Sequence, residues 1–308
     1  MRGWLITKSG CELGEIDAAQ LPPGDRTIEV RWSSLNYKDA LAMTGSPGVV
    51  RSFPMVPGID LAGDDCLVTG CGLGERHWGG YAELARVPED FVVPIPVPFT
   101  PREAMAIGTA GFTAMQCVDA LEKAGVKPGG RDVVVTGAAG GVGSIAIALL
   151  KAKGFRVVAS TGRVEETEYL QELGAAEVIG RDVLSAESKR PMETERWAGA
   201  VDTVGGTTLS GIIRTLQQNG AVAACGLAGG AKLETTVFPF ILRGVSLLGI
   251  NSVEVPNAER RRIWALLAQH LNRDLLERMT TEIPLAAVAE AAPRVLAGQV
   301  RGRIVVKI

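Results

Sequence analysis

The spacing of apolar positions changes along this chain. Between residues 133 and 250, short apolar runs alternate with stretches of helical length. Val133-Val134-Val135 and residues 156–161, 177–179, 199–204, 220–226 and 245–250 read as six strands, with helical segments such as 145–150 and 209–216 among them. Strands alternating with helices predict a parallel sheet with right-handed crossovers. Before residue 107 the pattern differs. Ile28-Glu29-Val30-Arg31-Trp32 alternates with period two, as a half-buried strand does. Residues 33–41 open on cap-like serines and continue as a short helix, residues 53–60 carry rigid turn chemistry, and 78–87 read as a turn followed by a strand. Residues 91–98 are too rich in proline for a central strand. This is a β-rich, barrel-like domain. A helix begins near Glu103, and 108–117 pack small and apolar residues. Two further helices, 259–270 and 285–296, precede a closing strand, 303–308, which rejoins the first domain. The expected division is 1–108 with 252–308, and 109–251. A chain of 308 residues can bury two such cores.

The first strand of the alternating region runs into Gly137-Ala138-Ala139-Gly140-Gly141-Val142-Gly143. Gly137, Gly140 and Gly143 form G-x-x-G-x-x-G, one position away from the dinucleotide fingerprint. The mechanics are shared: one glycine turns the chain, one admits a pyrophosphate to the backbone, and one lets helix and strand pack closely. The helix start that follows offers N–H groups to phosphate. Standing alone, the triplet also fits an ordinary strand-to-helix loop. The next strand exit decides between cofactors. An NAD site places Asp or Glu there for the ribose hydroxyl. This chain has Thr161, Gly162 and Arg163, a hydroxyl and a guanidinium suited to a 2′-phosphate. NADPH is therefore the expected cofactor. The competing account makes Arg163 a solvated charge at a helix start.

Composition narrows the partners. The net charge is −2, with 46% hydrophobic and 21% charged residues and no polybasic run, so nucleic acid and anionic membrane are not expected partners. No apolar run reaches membrane-span length and the start lacks a signal-peptide core, so a cytoplasmic protein is expected. The cysteines, Cys11, Cys66, Cys71, Cys117 and Cys225, form no C-x-x-C pair, and His77 and His270 are the only histidines, so no metal site is expected.

Several segments carry a family pattern in order: residues 32–39, 54–60, 77–80, 107–114, 135–143, 197–205 and 223–230. The chain resembles the zinc-independent quinone oxidoreductase branch of the medium-chain dehydrogenase/reductase superfamily, and within it the NADPH-dependent acryloyl-CoA reductase group. The resemblance implies an α/β protein with a GroES-like β-rich catalytic domain, a Rossmann doubly wound parallel-sheet domain, and a homodimer. It implies cofactor contacts at Tyr37, Gly140, Gly141, Val142, Gly143, Thr161, Gly162, Arg163, Leu227, Ile241 and Ser252, with Arg181 a weaker candidate. Zinc-bearing relatives place metal ligands near Tyr37 and Gly58-Ile59-Asp60, where this chain has no Cys or His. One departure stands out. After Gly63 the family continues through another strand and turn, whereas this sequence passes directly to Asp64-Asp65-Cys66. By the resemblance, about a dozen residues are absent, the length of a strand and its turn, either through a real loss or because the sequence omits a segment.

The implied reaction is reduction of the carbon–carbon double bond of a small conjugated acyl-CoA, acryloyl-CoA to propanoyl-CoA, by hydride transfer to the β-carbon. It needs a donor for the enolate oxygen, not a metal or a covalent nucleophile. Asn36 and Tyr37 are the candidate catalytic donors. The alternatives are a turn-forming amide for Asn36 and a packed helix residue for Tyr37. His77 reads more simply as a structural or cleft-rim residue, and Asp39 and Asp60 as local partners. A quinone acceptor, or a non-catalytic NADPH-binding protein, remain the competing functions.

Overall fold

A computed structural model describes residues 1–308. The chain divides into two compact units, Met1–Phe112 with Ser252–Gln269 and Leu276–Ile308, and Thr113–Asn251 with His270–Leu275.

The second unit is a six-stranded parallel sheet in the order Glu177–Gly180, Val157–Thr161, Asp132–Thr136, Trp197–Asp202, Leu216–Ala224, Ser246–Gly249. The order reverses at Asp132–Thr136, beside which Val157–Thr161 and Trp197–Asp202 both lie. A doubly wound sheet binds ligands at the carboxyl ends of strands around such a switch point. The central strands are buried on both faces, which explains their uninterrupted valine and alanine runs. Helix Gly141–Ala152 lies after the switch strand, and Ile145 to Leu150 of it are buried.

The first unit is built on a six-stranded sheet in the order Thr280–Pro284, Arg303–Lys307, Trp32–Leu35, Asp60–Ala62, Cys66–Thr69, Val93–Pro94. Arg2–Thr7 pairs with Gly10–Glu15, and Arg26–Glu29 with Leu84–Val87. The proline-rich 91–98 segment supplies only the two-residue edge strand Val93–Pro94. Two local expectations change. The period-two run at 28–32 is divided between Arg26–Glu29 and Trp32–Leu35. Ser33 and Ser34 are buried strand residues, and the helix begins only at Tyr37 with Asn36 as its cap. The helix Pro101–Lys123 is broken at Gly108, whose φ of 51° removes it from helical geometry. The shortened segment after Gly63 closes as a hairpin. Asp60–Ala62 and Cys66–Thr69 pair antiparallel, and Gly63 N donates to Cys66 O at 2.9 Å. Asp64 of this turn pairs with Arg31 at 3.2 Å.

Candidate functional site

In the second unit, Thr136 ends the switch strand and Gly137 turns the chain at φ 57°. A Cβ on Gly137 would collide with Thr203 Oγ1, and one on Gly143 with the Gly137 carbonyl oxygen. Gly143 thus allows the helix to pack onto its own strand–turn, as the spacing predicts. Gly140 caps the twelve-residue helix without a side chain, so its first N–H groups stay open to an anion. Asp202, fully buried at the end of the neighbouring strand, holds the floor of this turn. It accepts from Thr136 Oγ1 at 2.6 Å and Gly205 N at 2.8 Å. Burial raises its carboxyl above the ordinary range, against the pull of those donors.

The next strand ends in Thr161, whose hydroxyl accepts from Arg163 N at 3.0 Å and shapes the Gly162 turn. The two arginines here differ. Arg163 reaches the Ala139 carbonyl at 3.4 Å and pairs with Glu166 at 3.4 Å. Arg181 lies against Gly162, where an added Cβ would sit 3.3 Å from its Nε. The Arg181 guanidinium is exposed and has no acidic partner. Of the two, only Arg163 has a carboxylate partner. Leu227 and Ile241 are exposed apolar residues of this unit.

In the first unit, Tyr37 is the first residue of helix Tyr37–Met43. It is 44% exposed, and no hydrogen bond holds its hydroxyl. Asn36 faces inward. Its Nδ2 lies 2.8 Å from Asp60 Oδ2, 3.0 Å from Asp39 Oδ2 and 3.1 Å from Ser34 Oγ. Both amide hydrogens of Asn36 therefore have acceptors within the protein. Its Oδ1 accepts from Arg303 Nη1 at 3.1 Å. Asp60 also accepts from Ser34 Oγ at 2.6 Å, Thr109 N at 2.9 Å and Thr109 Oγ1 at 2.5 Å. Asp39 accepts from Asn36 N and Ile59 N, each at 2.8 Å. Burial, then the nearby Asp60, pushes the Asp39 carboxyl up to about 7. Arg303 and Thr109 were missed from the sequence. A cation opening a closing strand and a threonine after a helix-breaking glycine carry no local signal. Ser252 gives its carbonyl to Arg260 Nη2 at 3.2 Å. His77 packs edge-on against Phe91, its ring centroid 5.2 Å away.

Comparison with known proteins places this geometry. A family model described as "Zinc-binding dehydrogenase" matches residues 141–269. The "Probable acrylyl-CoA reductase AcuI" of Escherichia coli (strain K12) is 49% identical over 306 aligned residues, covering 95% of this chain and 94% of that protein. The chain belongs to the zinc-independent branch of the medium-chain dehydrogenase/reductase superfamily. The "Putative quinone oxidoreductase YhfP" of Bacillus subtilis (strain 168) is 41% identical over 95% of this chain and 93% of that protein. The solved structure of the yhdH oxidoreductase from Salmonella enterica in complex with NADP superposes with a TM-score of 0.96, at 48% identity and full coverage of both chains.

Zinc chemistry can be tested on the residues where zinc-bearing members of the superfamily hold their ligands. Tyr37, Gly58, Ile59 and Asp60 stand there, and no group of three or more His, Cys, Asp or Glu is placed to hold a metal ion. Both oxygens of Asp60 are already committed to protein donors. This donor set does not fit a zinc ion.

Proposed function

We propose that this protein is an NADPH-dependent oxidoreductase that reduces the double bond of acryloyl-CoA, or a similarly small conjugated acyl-CoA, giving propanoyl-CoA. The observation that carries the substrate is the 49% identity to the Escherichia coli reductase over 95% of the chain. Bound NADPH supplies hydride to the β-carbon. The open N–H groups at Gly141, Val142 and Gly143 suit a pyrophosphate, and Thr161, Gly162, Arg163 and Arg181 suit the 2′-phosphate. Leu227, Ile241 and Ser252 complete the proposed cofactor contacts. Tyr37 is the proposed catalytic residue. Its free hydroxyl can donate to the thioester oxygen as enolate charge develops, which is where a fixed donor lowers the barrier. Asn36 then acts behind it.

We propose 1–108 with 252–308, and 109–251, as the functional domains, bounds that differ by a few residues and one short excursion from the compact units. We propose a homodimer joined along the exposed edge strand Ser246–Gly249, where Val237, Phe238, Leu242 and Leu247 expose apolar surface. Light scattering on purified protein would return twice the chain mass. A cytoplasmic location accords with use of NADPH.

The 41% identity to the Bacillus quinone oxidoreductase favours a quinone as the second acceptor to try. NADPH oxidation with acryloyl-CoA, crotonoyl-CoA and benzoquinone in parallel separates these functions. The expected result is turnover fastest with acryloyl-CoA. Faster quinone turnover would move the assignment to quinone reduction, and NADPH binding without any turnover would leave a non-catalytic NADPH-binding protein.

A further inference from the structure

Arg303 is a fully buried guanidinium at the start of the last strand, far in sequence from Tyr37. It makes no direct ion pair with either buried carboxylate. Instead, Nε donates to Ala106 O at 2.7 Å and Nη1 to Asn36 Oδ1 at 3.1 Å. The Asn36 amide therefore stands between a cation on its oxygen and Asp60 on its nitrogen, the latter at 2.8 Å. This polarity admits one orientation of the amide, because a flipped amide would face N–H to guanidinium and oxygen to carboxylate. Asn36 is also the residue before the Tyr37 helix, and its own N–H is held by Asp39 at 2.8 Å. Side chain and main chain of residue 36 are thus both fixed, and with them the peptide from which Tyr37 emerges. The fold makes room for this arrangement. At Gly108 a Cβ would lie 2.6 Å from Asp60 Oδ2 and 2.7 Å from Arg303 Nη2, and φ there is 51°. Apolar packing would stabilise such a core at least as well as buried charges do. A buried cation, an amide and a carboxylate in series secure orientation instead.

We propose that Arg303, acting through Asn36, is the positioning residue that aims the Tyr37 hydroxyl at the substrate oxygen. The proposal rests on the assignment of Tyr37 above, and its test separates the two. Turnover of the best acceptor among acryloyl-CoA, crotonoyl-CoA and benzoquinone is measured for the wild type, Tyr37→Phe, Arg303→Lys and the double variant. Arg303→Lys keeps the charge but loses the planar fork. It is expected to lower kcat about tenfold or more, the scale of a small misalignment. KM for NADPH should stay within about twofold, and in the Tyr37→Phe background the loss should shrink to within about twofold, because coupled residues are not additive. The same loss in both backgrounds would overturn the proposal and make Arg303 merely structural. If Tyr37→Phe alone turns over like the wild type, the assignment of Tyr37 fails and the proposal falls with it. Should Arg303→Lys not fold, Asn36→Ala enters the same cycle, with the same criteria.

Discussion

Each unit centres on a fully buried aspartate, and the two aspartates are held by different physics. Asp202 is satisfied by neutral donors from its own neighbourhood in the sheet: Thr136 on the adjoining strand, and the backbone of Gly205 three residues on. Asp60 takes donors from Ser34, Asn36 and Thr109, and it shares its pocket with a second carboxylate and with Arg303. One arrangement is local and uncharged apart from the carboxylate. The other draws residues 34, 36, 39, 60, 109 and 303 together around a buried cation. The glycine turn is written into one stretch of chain, whereas the surroundings of Asp60 are assembled from distant parts of it.

The sharpest way to break this contrast is to remove the cation. Arg303→Met leaves two buried carboxylates without it and is expected to lose about 3–5 kcal/mol in urea unfolding. Asp202→Asn keeps one acceptor and misplaces one donor, and about 1–2 kcal/mol should be lost. Equal losses would show that charge does not distinguish the two nodes.

The next effect concerns binding. Arg163→Glu and Arg181→Glu each remove a cation from the proposed 2′-phosphate site. Each should weaken NADPH by about 1.5–3 kcal/mol in titration calorimetry, the worth of a charged hydrogen bond, and leave NADH nearly unchanged. With its guanidinium free, Arg181 should show the larger loss. Equal loss of both cofactors would remove the phosphate preference from this turn.

The smallest effect is a slope. Asp39 titrates near 7 in the folded chain against an ordinary 3.8. Between those values the folded state holds a proton that the unfolded state has released, so stability is present at low pH and lost as pH rises through about 7. Melting temperatures of the wild type should therefore fall, relative to Asp39→Asn, as pH rises from about 5 to about 8. Parallel curves would contradict the burial of the Asp39 carboxyl beside Asp60.

The same contrast explains what could be read from the sequence. The parallel sheet, the glycine turn and Thr161 to Arg163 were legible because strand, turn and helix follow one another along the chain and each leaves a periodic or glycine signal. Tyr37 was legible as a position but not as a free hydroxyl. Asn36 was legible as a position, and Ser34 and Asp39 lie close to it in sequence, but its bonds to Arg303 and Asp60 leave no local pattern. The serines at 33 and 34 mimicked a helix cap, yet tertiary burial drew them into a strand. That Glu166 pairs with Arg163 while Arg181 has no acidic partner is visible only in the fold.

The shortened turn after Gly63 is part of the same account. The Escherichia coli alignment spans 306 positions, more than 95% of 308 residues supplies, so that relative carries residues this chain lacks. The hairpin that closes here leaves Asp60, at the start of its strand, within its full set of donors. Activity is therefore expected to survive the shortening.

The most direct measurement follows the hydrogen. Purified protein is given acryloyl-CoA and NADPH with both nicotinamide C4 hydrogens replaced by deuterium, and the propanoyl-CoA formed is analysed by mass spectrometry and NMR. The account predicts one deuterium at the β-carbon, and solvent hydrogen at the α-carbon. NADPH oxidised with no label in the acyl group, or label at the α-carbon, would contradict it.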